Sequence, residues 1–136
     1  MINRLGHVCL GTGNLSEMIA FYTSVCGCSV VHRFINDSNE LYGVMLRVAD
    51  SETFVELFKD DEIIKNGHAA FRHLSFQVDD VVAQAEHLAT KGFNTEIKRG
   101  RTDGILQFWC ADPDGNQVEF TQFDSLSVYS EKHKIT

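Results

Sequence analysis

Runs with a two-residue hydrophobic period and runs with a helical period alternate along this chain, and they do so twice in the same order. Arg4–Leu10 alternates like a half-buried strand and Gly11–Asn14 turns. Leu15–Val25 places Leu15, Met18, Ile19, Tyr22 and Val25 at helical spacing, and Asn14 followed by Glu17 resembles a capping box. Ser29–Ile35, Leu41–Val48 and Thr53–Phe58 read as strands, separated by the polar turns Asn36–Asn39 and Ala49–Glu52. The order then repeats. Arg72–Val78 is a strand, Asp80 a cap, and Val81–Thr90 a helix with Val81, Val82, Ala85, Leu88 and Ala89 as its apolar stripe. Gly92 supplies a stop. Asn94–Lys98, Ile105–Cys110 and Gln117–Phe123 are the remaining expected strands, the last two joined by the tight turn Asp112-Pro113-Asp114-Gly115-Asn116. Each half therefore reads βαβββ. The expected fold class is α+β, with paired modules at 4–59 and 70–123 in a single domain over 1–136, and a polar tail from 124 to 136.

Strand parity raises the first chemical question. Residues two apart share a face, so Val8 and Leu10, Val55 and Leu57, Leu74 and Phe76, and Val118 and Phe120 mark the faces that suit a helix-covered core. The opposite faces carry His7, Glu56, His73 and Glu119, one per strand and at matching places in the two halves. A merely solvated face would show scattered Lys, Thr, Ser and Glu. Here the neighbours on those faces include Cys9, Phe54, Phe58, Ser75, Thr121 and Phe123, which are small or aromatic and suit the lining of a cavity. Carboxylates and imidazoles held in such a lining need partners. A divalent metal is the economical one, because two carboxylates neutralise it and the donors suit Ni, Co, Zn, Fe or Mn.

Composition narrows the function classes. The 136 residues are 43% hydrophobic and 23% charged, an ordinary globular balance for one domain or two small modules. A net charge of −7 without a basic stripe leaves no electrostatic footprint for nucleic acid or an anionic membrane. The apolar runs are too short to span a bilayer, and MINRLGH lacks the apolar region of a signal peptide, so the expected location is the cytoplasm. Cys9, Cys26, Cys28 and Cys110 have no zinc-finger spacing and read as reduced thiols.

The phrases GHVCL, LSEMIAFYTSVCGC, FVELF, FRHLSFQVDD and DPDGNQVEF together resemble the vicinal oxygen chelate superfamily over residues 4–123. That superfamily includes glyoxalase I, fosfomycin-resistance proteins, methylmalonyl-CoA epimerases and extradiol dioxygenases. The resemblance implies paired βαβββ modules forming a cup around a metal, completed in short chains by a second subunit, hence a homodimer. The order His7, Glu56, His73, Glu119 is similar to the ligand set of glyoxalase I (lactoylglutathione lyase). It implies a lyase or isomerase reaction by proton transfer through an enediolate, using Ni, Co or Zn, with Mn or Fe as alternatives. In that scheme Glu119 acts as base, Glu56 is a ligand and potential catalytic partner, and His7 and His73 only hold the metal. The candidate substrate is a small molecule, the glutathione adduct of methylglyoxal.

The chain also departs from the glyoxalase I pattern. Val8–Gly13 contains no cation, and Lys59-Asp60-Asp61 stands where an asparagine often follows the first Glu ligand. An anionic substrate would have to meet Arg33, Arg47, Arg72 or the basic loop Lys98-Arg99-Gly100-Arg101, the best placed of these. Two alternatives therefore stand beside the lyase. One is another superfamily enzyme, either a thiol transferase for fosfomycin-like epoxides or an epimerase or isomerase on a different substrate. The other is a non-enzymatic small-molecule-binding protein. Either Phe108 or Trp109, but not both, can face the cavity. His32, His68, His87 and His133 fit no ligand spacing and read as surface residues.

Overall fold

Alternation becomes strand wherever it is strong, and each helix closes on the face the parity predicts. The computed structural model describes residues 1, 5–61, 71 and 73–127, in two units, Met1–Ala70 and Phe71–Thr136. Arg72, His68 and His133 lie outside the described residues.

The first unit runs β1 (His7–Thr12), α1 (Leu15–Ala20), a π-helical continuation over Phe21–Val25, β2 (Ser29–Ile35), β3 (Leu41–Arg47) and β4 (Phe54–Lys59). Its sheet order is β1-β4-β3-β2. β1 is parallel to β4, and the other pairs are antiparallel. The second unit repeats this with β5 (His73–Gln77), α2 (Val81–Thr90), β6 (Lys98–Arg99), β7 (Leu106–Ala111) and β8 (Gln117–Gln122), in the order β5-β8-β7-β6. The fold is thus the expected α+β pair of modules, each with one mixed four-stranded sheet.

Burial explains why each sheet holds one helix. In the first unit Val44, Leu46, Val55 and Leu57 are buried on the face where α1 packs, together with Met18 and Tyr22. In the second, Phe108, Val118 and Phe120 are buried under α2 with Val81 and Leu88, and Phe108 stacks on Phe120 at 5.0 Å. Each such side chain contributes about 1.5–3 kcal/mol by leaving water. The helix stripe is narrower than expected: Val81, Ala85 and Leu88 are buried, whereas Val82 and Ala89 are exposed.

The two helices begin and end differently. Asp80 caps α2, its Oδ1 accepting from the amides of Val82 and Ala83 at 3.0 Å. Asn14 stands at the N-cap of α1, but its side chain caps nothing: Nδ2 donates to Glu17 Oε2 at 3.1 Å, so the capping box does not form. At the end of α2, Gly92 adopts φ +88° and Phe93 N–H donates to the Leu88 carbonyl, which folds the chain back. Thr95 Oγ1 then donates to the Ala85 carbonyl at 3.3 Å. Held along the helix, Asn94–Ile97 does not pair, and the strand expected over Asn94–Lys98 shrinks to Lys98–Arg99. The expected polar tail is likewise structured at its start, since Ser127 is buried and its Oγ accepts from Asp124 N–H at 3.0 Å. No helix among the described residues is long and apolar enough to cross a membrane.

Candidate metal centre

Parallel pairing is what brings each histidine to its glutamate. β1 pairs with β4 so that His7 faces Phe54 and Cys9 faces Glu56. His7 therefore sits diagonally from Glu56 on the same face, and its Nε2 stands 3.5 Å from Glu56 Oε2. β5 pairs with β8 in the same way: His73 faces Gln117, Ser75 faces Glu119, and His73 Nε2 stands 3.7 Å from Glu119 Oε2. The environments match as well as the geometry. The imidazoles are 50% and 43% exposed, while the carboxylates are 15% and 13% exposed.

Both separations are longer than an ordinary hydrogen bond. They approach the spacing of two ligands on one cation, since bonds of about 2.0–2.2 Å at right-angled to tetrahedral geometry put neighbouring donors about 2.8–3.6 Å apart. An imidazole and a carboxylate are also donors that borderline divalent cations accept, so each pair fits as part of a metal's donor set. The structure brings together His7 with Glu56 and His73 with Glu119. Among the described residues no group of three or more His, Cys, Asp or Glu side chains is placed to hold a metal.

Strand register sets which side chains share the face of each pair. In the second unit Trp109 is directly opposite Glu119, which settles the choice of aromatic: Trp109 is on the site face and 38% exposed, whereas Phe108 is fully buried on the other. The Trp109 ring meets the His73 ring edge-to-face at 4.8 Å. In the first unit Met45 stands opposite Glu56. A register shift between Val30 and His32 carries His32 opposite Met45 and Phe34 opposite Gly43. His32 is exposed as expected, but it shares the face of Glu56, which parity along an unbroken strand could not reveal. Phe34, Tyr42 and Phe58 form an aromatic cluster there, with centroids 4.9–6.1 Å apart. Cys9 is also on this face; partial burial and then the Glu56 charge raise its thiol pKa. Cys28 and Cys110 are buried and pushed up to about 11, in both cases mainly by burial.

Two cations of the basic loop are engaged by carboxylates. Arg99, in the basic loop, donates from both terminal nitrogens to Asp124, at 3.0 and 2.8 Å, and to the Gly104 carbonyl at 2.7 Å. This pairing raises the Arg99 pKa and holds the Asp124 carboxyl down at about 2. Lys98 Nζ stands 3.4 Å from Glu96 Oε2. Arg47 shares the site face through its pairing with Phe54, and its guanidinium lies 5.8 Å over that ring.

Comparison with known proteins agrees with the paired modules. The profile of the Glyoxalase/Bleomycin resistance protein/Dioxygenase superfamily matches residues 4–120. A lactoylglutathione lyase of Haemophilus influenzae is 29% identical over 122 residues, 85% of this chain and 90% of that protein. The crystal structure of a glyoxalase family protein from Enterococcus faecalis superposes with a TM-score of 0.71 at 22% identity, covering 87% of this chain and 96% of that one. A genomically encoded fosfomycin resistance protein from Listeria monocytogenes superposes with a TM-score of 0.69 at 14% identity, covering 92% and 97%. By the profile match and the doubled βαβββ architecture, this chain belongs to the Glyoxalase/Bleomycin resistance protein/Dioxygenase superfamily.

Proposed function

We propose that the protein is a metal-dependent lyase or isomerase of the glyoxalase I type, acting in the cytoplasm as a homodimer. The observation that carries this reading is the repeated diagonal pair, His7 with Glu56 and His73 with Glu119, on the helix-free face of each sheet. These four residues would hold a divalent cation, Ni, Co or Zn, which would supply Lewis acidity toward a substrate carbonyl. Glu119 takes a proton from the carbon beside that carbonyl and returns it to the neighbouring carbon, acting first as general base and then as general acid. Glu56 occupies the equivalent place in the other unit, as ligand and partner on the opposite substrate face. His7 and His73 orient and hold. Trp109 offers an apolar wall beside Glu119.

The candidate substrate is the hemithioacetal of methylglyoxal and glutathione, and the similarity to lactoylglutathione lyases supports it. A second reading rests on the cations. Val8–Gly13 has none, and Arg99 is engaged by Asp124, which favours a substrate without the carboxylates of glutathione. That reading keeps the metal and the fold and changes the chemistry to thiol transfer onto an epoxide, or to an epimerisation.

The deciding experiment strips the protein of metal, reloads it with Ni, Co or Zn, and follows hemithioacetal conversion beside a Glu119→Gln variant. Metal-dependent turnover that the variant loses supports the lyase. Metal uptake without turnover moves the assignment to the second reading, tested next with an epoxide and a small thiol. No metal uptake overturns both and leaves a small-molecule-binding protein.

A further inference from the structure

We propose that Trp109 is the positioning residue for His73, and that it pre-organises the His73–Glu119 pair. The inference rests on the reading of His73 as a metal ligand given above. A ligating imidazole is normally oriented by a hydrogen bond from its other nitrogen to a carboxylate or carbonyl. Among the described residues no hydrogen bond reaches the His73 ring. Its Nε2 stands 3.7 Å from Glu119 Oε2, and the Trp109 ring meets the imidazole edge-to-face, 4.8 Å away at 78°.

Trp109 is itself held in place. Its Nε1 donates to Gln107 Oε1 at 3.2 Å, two residues along the same face. Its place opposite Glu119 in the β7–β8 register sets the indole across the strand from the carboxylate. Core burial does not account for it, since the neighbouring Phe108 fills the core and Trp109 remains open on the site face. Among the described residues of the first unit no aromatic ring pairs opposite Glu56: Met45, a flexible thioether, stands there. The His73–Glu119 pair is therefore braced by a rigid ring, whereas the residue opposite Glu56 is adaptable.

The test uses Trp109→Phe, which keeps a ring, and Trp109→Leu, which keeps apolar bulk without one. Metal-free wild type and both variants are titrated with Co2+ alone by calorimetry. The ring protons of His73 and His7 are followed by NMR in the metal-free proteins. Wild type and Trp109→Phe are expected to take up Co2+ within about threefold of each other, and Trp109→Leu about tenfold more weakly. The His73 ring signals should move in Trp109→Leu while those of His7 stay in place. Co2+ affinity unchanged in Trp109→Leu, or His73 signals indifferent to residue 109, overturns the proposal while leaving the metal site standing. Failure of the wild type itself to take up Co2+ overturns the metal reading and this proposal with it.

Discussion

Arg99 forks onto Asp124: both of its terminal nitrogens reach the two carboxylate oxygens, and one also reaches the Gly104 carbonyl. The fork ties the end of the β6 strand to the segment after β8. It also engages one of the three cations of the basic loop.

The pair has a pH signature. Asp124 is held down at about 2 from an ordinary 3.8, chiefly by the hydrogen bonds from Arg99. A carboxyl with a depressed folded-state pKa contributes stability that is full above its unfolded value and is lost as pH falls through the folded one. Wild type should therefore exceed Arg99→Ala in stability above about pH 5, with the gap closing between about pH 4 and pH 2. Urea midpoints measured across that range check it. A gap independent of pH would mean that Arg99 acts through packing alone.

Glu119→Gln and Glu56→Gln separate base from ligand. Loss of a general base lowers turnover by about 10²–10⁴-fold. Glu119→Gln should reach that range with bound metal still measurable, and Glu56→Gln should lose less turnover for a comparable loss of metal. Steady-state rates beside metal content distinguish them, and equal kinetic losses at equal metal content would withdraw the base assignment.

Capping chemistry predicts an asymmetry between two cap-like residues. Asp80→Ala removes the acceptor for two amides of α2 and should cost about 0.5–2 kcal/mol. Asn14→Ala removes only an exposed side-chain bond to Glu17 and should cost about 0.5 kcal/mol or less. Chemical denaturation of both variants is sufficient, and equal losses would contradict the difference in cap geometry.

Gly43 lies beneath Phe58. A Cβ built on Gly43 would meet Phe58 Cδ1 at 2.5 Å and the Leu57 carbonyl oxygen at 3.0 Å, so the ring can rest across the strand only over glycine. Gly43→Ala should destabilise by about 1–3 kcal/mol through overpacking. Adding Phe58→Ala should make the two losses less than additive. Additive losses would show that the ring does not depend on the missing side chain.

The amino-acid pattern alone determined the doubled βαβββ order, the helix over Val81–Thr90 with its Asp80 cap, and the sheet faces that His7 shares with Glu56 and His73 with Glu119. These follow from local periods, two for a strand and 3.6 for a helix, which depend only on backbone geometry. Pairing decided the rest. Register chose Trp109 over Phe108, because only a partner strand fixes which of two adjacent aromatics faces the glutamate. The register shift after Val30 put His32 and Phe34 on the site face, where unbroken alternation would have divided the strand differently. Arg99 met Asp124 across 25 residues, and Asn94–Ile97 followed α2 instead of pairing. Each of these depends on a partner distant in sequence, and so on the tertiary structure that brings the partner near.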